Sequence, residues 1–177
     1  HLPFLGNVMQ IDIAKTGPEN VFALVNAANA GLTLDATKVT LGTPVVRTPD
    51  ANPHNTTITL TAIAEQGYTG TVDITLTRLG MGTGVTTPDF DFVITTDDAA
   101  AFKTQVATQL GLVESEIVIV GTLPTEGNSG TVTVAGIAGS FLYLPTTQTL
   151  NVDFPVPQEA LTDAVATTQM DGFDAAA

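Results

Sequence analysis

The densest group of side chains able to ligate or move protons is Asp89, Asp91, Asp97 and Asp98. Carboxylates this close could supply oxygen ligands for calcium or an acid pair. Their spacing lacks the Asp-x-Asp-x-Asp-Gly order of a calcium loop. Asp89 and Asp91 fall on the polar face of an alternating run. Asp97 and Asp98 precede an apolar stretch of helical period, where a carboxylate completes a helix N-terminus. Capping is their expected role. Only two histidines exist, His1 and His54, so a zinc site has no internal pair to build on. Ser115, Ser129 and Ser140 sit in no Gly-x-Ser-x-Gly elbow. The glycines of GMGTG (Gly80, Gly82, Gly84) are not followed by Lys-Ser/Thr, and the next element reads as a strand. A flexible joint is expected there, not a phosphate loop. Asn55-Thr56-Thr57 matches a glycosylation acceptor, a pattern that chance supplies often. With no cysteine, thiolate chemistry and disulfides are excluded. The expectation is a non-enzymatic chain without catalytic, metal or cofactor residues.

The elements around these residues are easier to read. Residues 1 to 10 are apolar and mixed, an arm or edge strand. Thr16-Gly17-Pro18-Glu19 opens a helix: Thr16 caps, Glu19 follows three positions later, and Pro18 is tolerated in the first turn. Val21, Phe22, Leu24, Val25 and Ala28 continue at helical spacing, and Gly31 stops it. A strand over Lys38–Leu41 and a loop TPDANPHN follow. Residues 58 to 78 form a hairpin. Ile58, Leu60, Ala62 and Ala64 face one way, Val72, Ile74 and Leu76 answer them, and Gly67-Tyr68-Thr69-Gly70 makes the turn. After the joint, Phe90, Phe92 and Ile94 alternate as a strand. A helix carries Phe102, Val106 and Leu110, and Gly111 ends it. Ile117–Val120 is a strand and TEGNSG a loop. A second hairpin runs from Thr131 to Phe154.

The order of punctuation repeats. With a shift of 80, Thr16 falls on Thr96, Phe22 on Phe102, Gly31 on Gly111, Val39 on Ile119 and Pro44 on Pro124. With a shorter shift, Ile58-Thr59-Leu60 lies over Val132-Thr133-Val134. The expected fold is α+β: two tandem repeats, each a small antiparallel sheet (strand-helix-strand-hairpin) with one helix on one face. The domains are then 1–85, a first repeat with its N-terminal arm, 86–157, a second repeat, and 158–177, an acidic C-terminal tail or linker. The second hairpin tip, Phe141-Leu142-Tyr143-Leu144-Pro145, is more apolar than the first.

Of 177 residues, 44% are hydrophobic and 13% charged, a folding composition. Net charge is −13, from 5 basic and 18 acidic residues. Such a surface repels phosphate backbones, so no direct nucleic-acid role is expected. No apolar run reaches membrane-span length, so no membrane partner is expected either. The last basic residue is Lys103, and the carboxylates beyond it, Glu116 among them, read first as a solvated face that serves solubility, with a basic partner or bound cations as the alternative. The chain begins with His1, which suggests a removed leader or a piece of a longer product. Tyr68 and Arg78 are the surface candidates for an interface, since Tyr and Arg are favoured anchors. Phe141 and Tyr143 join them from the second tip.

From Ala62 to Arg78, with Gly67-Tyr68-Thr69-Gly70, Val72, Ile74, Leu76, Arg78 and Leu79, the sequence resembles a repeated domain of virion structural proteins from large tailed bacteriophages. Thr71 stands where that family carries serine. The resemblance covers most of the first half and only loosely the second. It implies a modular structural protein of the capsid or tail exterior, in contact with other virion proteins or further copies of itself. It carries over no active-site residues. The alternative is a bacterial extracellular filament or adhesin module. A glycan-processing enzyme is a third reading, weakened by aromatics at only 6%.

Overall fold

The computed structural model describes residues 9–81 and 89–176. Residues 2–8 of the arm, and Gly82 and Gly84 of the joint, lie outside the described residues. The fold is mixed α+β, with two four-stranded sheets.

The first half starts with helix α1, Gly17–Ala28. Thr16 Oγ1 caps it by accepting from the Glu19 N–H at 3.2 Å. Strands β1 (Val39–Leu41) and β2 (Val45–Val46) follow, then the hairpin β3 (Thr56–Ala62) and β4 (Thr71–Leu76). On β3 the pairs Ile58↔Ile74 and Leu60↔Val72 set the register. β4 occupies one edge of β3, while β1 and β2 share the other in series, at Val39↔Ala62 and Val45↔Thr57. Ile58, Leu60 and Leu76 are buried with Val21, Phe22 and Val25 of α1. The alternation of β4 is tapered: Leu76 is buried, Ile74 half-buried and Val72 57% exposed, because the tip extends past the helix.

The second half holds β5 (Asp91–Val93), α2 (Ala99–Leu110), β6 (Ile117–Val120), β7 (Asn128–Gly136) and β8 (Thr147–Phe154), with sheet order β5-β8-β7-β6. Asp98 caps α2 by accepting from the Ala100 N–H at 2.9 Å and the Ala101 N–H at 3.3 Å. Gly111 ends it with φ +66°, a conformation glycine adopts without strain. Phe92, Ile94, Phe102, Val106, Leu110, Ile117, Val132, Val134, Leu150 and Val152 form its core.

Two expectations are corrected. The second sheet is not purely antiparallel: β5 pairs with β8 in parallel, Phe92 opposite Val152. The chain leaves β5 through α2 and returns along the far side of the sheet, so β5 and β8 run the same way. TEGNSG is not all loop. Asn128, Ser129 and Gly130 belong to β7 because β8 reaches as far as Phe154, which pairs with Asn128.

Beyond Phe154 the chain runs out as a tail carrying only the short helix α3, Leu161–Ala164, with no buried residue. No helix among the described residues is long and apolar enough to cross a membrane.

Candidate functional site

Where the halves meet lies a buried polar hub. Arg78 is 5% exposed, Glu116 4% and Ser140 1%. Arg78 follows β4, and its backbone is gripped by the Asn55 side chain. Asn55 Oδ1 accepts from the Arg78 N–H at 2.9 Å, and Asn55 Nδ2 donates to the Arg78 carbonyl at 3.1 Å. With its backbone fixed, the guanidinium reaches inward. Nε donates to Thr56 Oγ1 at 2.8 Å, and one terminal nitrogen donates to the carbonyls of Ser140 and Tyr143 at 2.8 and 3.2 Å. A planar donor fork suits such divergent acceptors.

Glu116 enters from a 3-10 turn, Glu114–Glu116. Its Oε1 accepts from Ser140 Oγ at 3.0 Å and from the Phe141 N–H at 2.6 Å. The carboxylate also lies against the start of α1: a Cβ on Gly17 would sit 2.4 Å from its Cδ. The positive end of the helix dipole favours a carboxylate there. Tyr143 is 1% exposed, and its hydroxyl accepts from the Val113 N–H at 2.9 Å. Backbone bonds complete the joint: the Leu79 N–H donates to the Leu142 carbonyl at 2.9 Å, and the Leu144 N–H to the Leu79 carbonyl at 2.8 Å.

Burial pushes the Arg78 guanidinium down in pKa, while the Glu116 charge pulls it back up. Burial pushes the Tyr143 hydroxyl up, the Val113 hydrogen bond works against this, and Glu116 adds to the rise. Arg78 and Glu116 balance each other's charge in a site closed to water. The hub therefore locks one half to the other.

The four sequence candidates separate here. Arg78 and Tyr143 lie inside the chain and bridge its halves. Tyr68, at the hairpin tip, is 43% exposed. Phe141 is half-buried and packs against the cores of both halves. Sequence reasoning missed Glu116, which is no part of a solvated acidic face. Its partners all come from distant positions, so nothing local marks it out.

The remaining chemistry-bearing residues have structural roles. Asp91 accepts from Asn151 Nδ2 at 2.8 Å, and Asp89 from the Asp91 N–H at 3.0 Å. His54 Nδ1 meets Thr77 Oγ1 at 2.9 Å, while Ser140 Oγ serves Glu116, so the two are not brought together. Among the described residues no group of three or more His, Asp or Glu could hold a metal ion.

Two surface features stand out. A cleft of about 540 Å³ opens between α1 and the outer edge of β4. Leu24, Val25, Ala28, Ile74, Leu79 and Phe141 supply its apolar wall. In the second half β5 closes the corresponding gap, and Gln105 and Gln109 of α2 hold it by donating to the Val93, Asp89 and Asp91 carbonyls. In the first half no described residue pairs with the outer edge of β4. The second feature is the placement of exposed valines. Val45, Val46, Val72, Val93, Val118 and Val120 are all at least 40% exposed, and all lie on edge strands β2, β4, β5 and β6.

No curated protein and no solved structure matches the chain. One family's sequence model matches residues 10–175, which takes in both sheets and nearly all of the tail. The chain belongs to that family, described as a family of unknown function (DUF7941).

Proposed function

We propose that this chain is a non-enzymatic structural protein of a tailed-phage virion, placed on the capsid or tail exterior and acting through contacts with neighbouring subunits. The observation that carries the reading is the set of six exposed valines on edge strands β2, β4, β5 and β6. An edge presents unpaired N–H and C=O groups, and a chain that stays solitary blunts it with lysine, proline or a covering loop. Here the edges carry apolar side chains instead, a surface suited to a neighbour. The Gly67-Tyr68-Thr69-Gly70 hairpin, with Tyr68 exposed at its tip, adds the resemblance to virion modules.

The two halves are read as tandem copies. Equivalent register supports this. Val39 opposes Ala62 as Ile117 opposes Gly136, and Ile58 opposes Ile74 as Val132 opposes Leu150. That register sets Val39 beside Ile117, two positions from the match that a constant shift suggests. A copied unit gives two similar sheets at the cost of a joint between them, and the Arg78–Glu116 hub is that joint.

The test is sedimentation of the purified chain with preformed phage particles. Saturable co-sedimentation supports the reading. A chain that ignores particles and coats bacterial cells instead would favour a filament or adhesin module.

A further inference from the structure

We propose that copies of this chain join head to tail, with the C-terminal tail of one copy anchored by Phe173 in the α1–β4 cleft of the next. This rests on the reading of the chain as an assembling protein and names the partner as a second copy.

Two apolar surfaces of the molecule are left uncovered by any described residue. Val156 lies against Gly127, and beyond it every described residue of the tail is exposed, large apolar side chains included: Leu161 is 75% exposed, Met170 72% and Phe173 106%. A solvated linker has no need of a fully exposed phenylalanine. The family match runs to residue 175, so this stretch belongs to the shared unit. The cleft is the complementary surface. Its volume of about 540 Å³ lies within the range of sites that bury a ligand-sized group, and its wall is apolar.

Charge favours the match. The tail is acidic, with Glu159, Asp163, Asp171 and Asp174. The chain carries 18 acidic residues, yet among the described residues no Asp or Glu lines the cleft and His54 is its one titratable group. An acidic, apolar tail can therefore enter without a carboxylate facing it. The second half shows what such a gap accepts. There β5 lies along β8 and places Phe92, 2% exposed, edge-to-face against Phe102 with ring centroids 5.5 Å apart. The residues leading into α1 run differently: Met9, Gln10 and Ile11 line the cleft without pairing to β4. From Phe154 to Phe173 an extended chain spans about 60 Å, enough to reach a neighbour.

Using a different surface at each end makes the contact heterologous, so it generates rings or open chains. Two variants test this by analytical ultracentrifugation of the full chain. Phe173→Asp disables the tail, and Ala28→Trp fills the cleft from its rim. The wild-type chain is expected to associate with rising concentration, and more strongly in high salt, which screens the repulsion between copies of net charge −13. Each variant alone is expected to weaken association by about 30-fold or more, as an anchor residue would. An equimolar mixture of the two is expected to form a one-to-one pair and stop, because one intact tail meets one intact cleft. Circular dichroism checks folding, and Leu24→Trp replaces Ala28→Trp if that variant does not fold. Three results would overturn the proposal: a wild-type chain monomeric at all attainable concentrations, association unaffected by Phe173→Asp, or a mixture that restores no pairing. Any of these would leave co-sedimentation with particles untouched, so the two readings fail separately.

Discussion

Glycine at position 17 is set by a carboxylate nearly a hundred residues away. A Cβ there would lie 2.4, 2.5 and 2.7 Å from three atoms of the Glu116 carboxyl group. Glu116 cannot swing aside cheaply, because Ser140 Oγ and the Phe141 N–H hold it. Gly17→Ala is therefore expected to destabilise by about 1–3 kcal/mol, the range for overpacking a filled site. Combined with Glu116→Ala, the two effects should be clearly non-additive in denaturant melts. Additive losses would mean that the contact is not what excludes a side chain. Tyr143 gives a pH test. Its folded pKa is raised above the unfolded value of about 10, first by burial. Its contribution is thus intact below that pH and is lost as the pH climbs through the folded value. Tyr143→Phe should remove this alkaline loss. It should also lower stability near neutrality by about 1–3 kcal/mol, since the buried Val113 N–H is left without an acceptor. An unchanged alkaline profile would show that another group governs it.

The elements differ in how far the sequence announces them. Thr16 and Asp98 sit before apolar residues at helical spacing, and each caps its helix as local chemistry requires. Asp98→Ala should cost about 1 kcal/mol, with the loss read in thermal melts of the full chain. An effect near zero would mean that the two backbone N–H bonds to Asp98 find water equally well. The pairing of β3 with β4 also follows from alternation, but its register does not: β3 ends at Ala62 and Thr61 faces Thr71, so Ala64 belongs to the loop and not to the strand. Other features depend on partners that no window of sequence contains. β5 is parallel because of where β8 runs, Asn128–Gly130 join β7 because β8 is long, and Glu116 is buried because three distant segments converge on it. Arg78 shows the boundary well: its residue type suits an interface, but the Asn55 grip turns its side chain inward. The edge strands give the element-scale test of assembly. Lysine at Val118 and Val120 should leave the fold intact, since both side chains are exposed, but reduce binding to particles. Unchanged binding would exclude β6 from the contact.

At the scale of the molecule, two sheets with separate cores are fastened by the Arg78 guanidinium, bonded to the Ser140 and Tyr143 carbonyls, and by a short backbone ladder. Such a joint fixes the halves relative to each other, so the free edges are presented in a constant geometry. That constancy would suit the proposed assembly, in which the apolar edges, the tail and the cleft are the contact surfaces. The most direct measurement of the proposed virion role is an electron cryomicroscopy map of intact tailed-phage particles produced alongside the chain. The account predicts two-sheet bodies at symmetry-related positions on the capsid or tail exterior, touching neighbours through strand edges. Particles that are complete, infectious and devoid of this chain would contradict it.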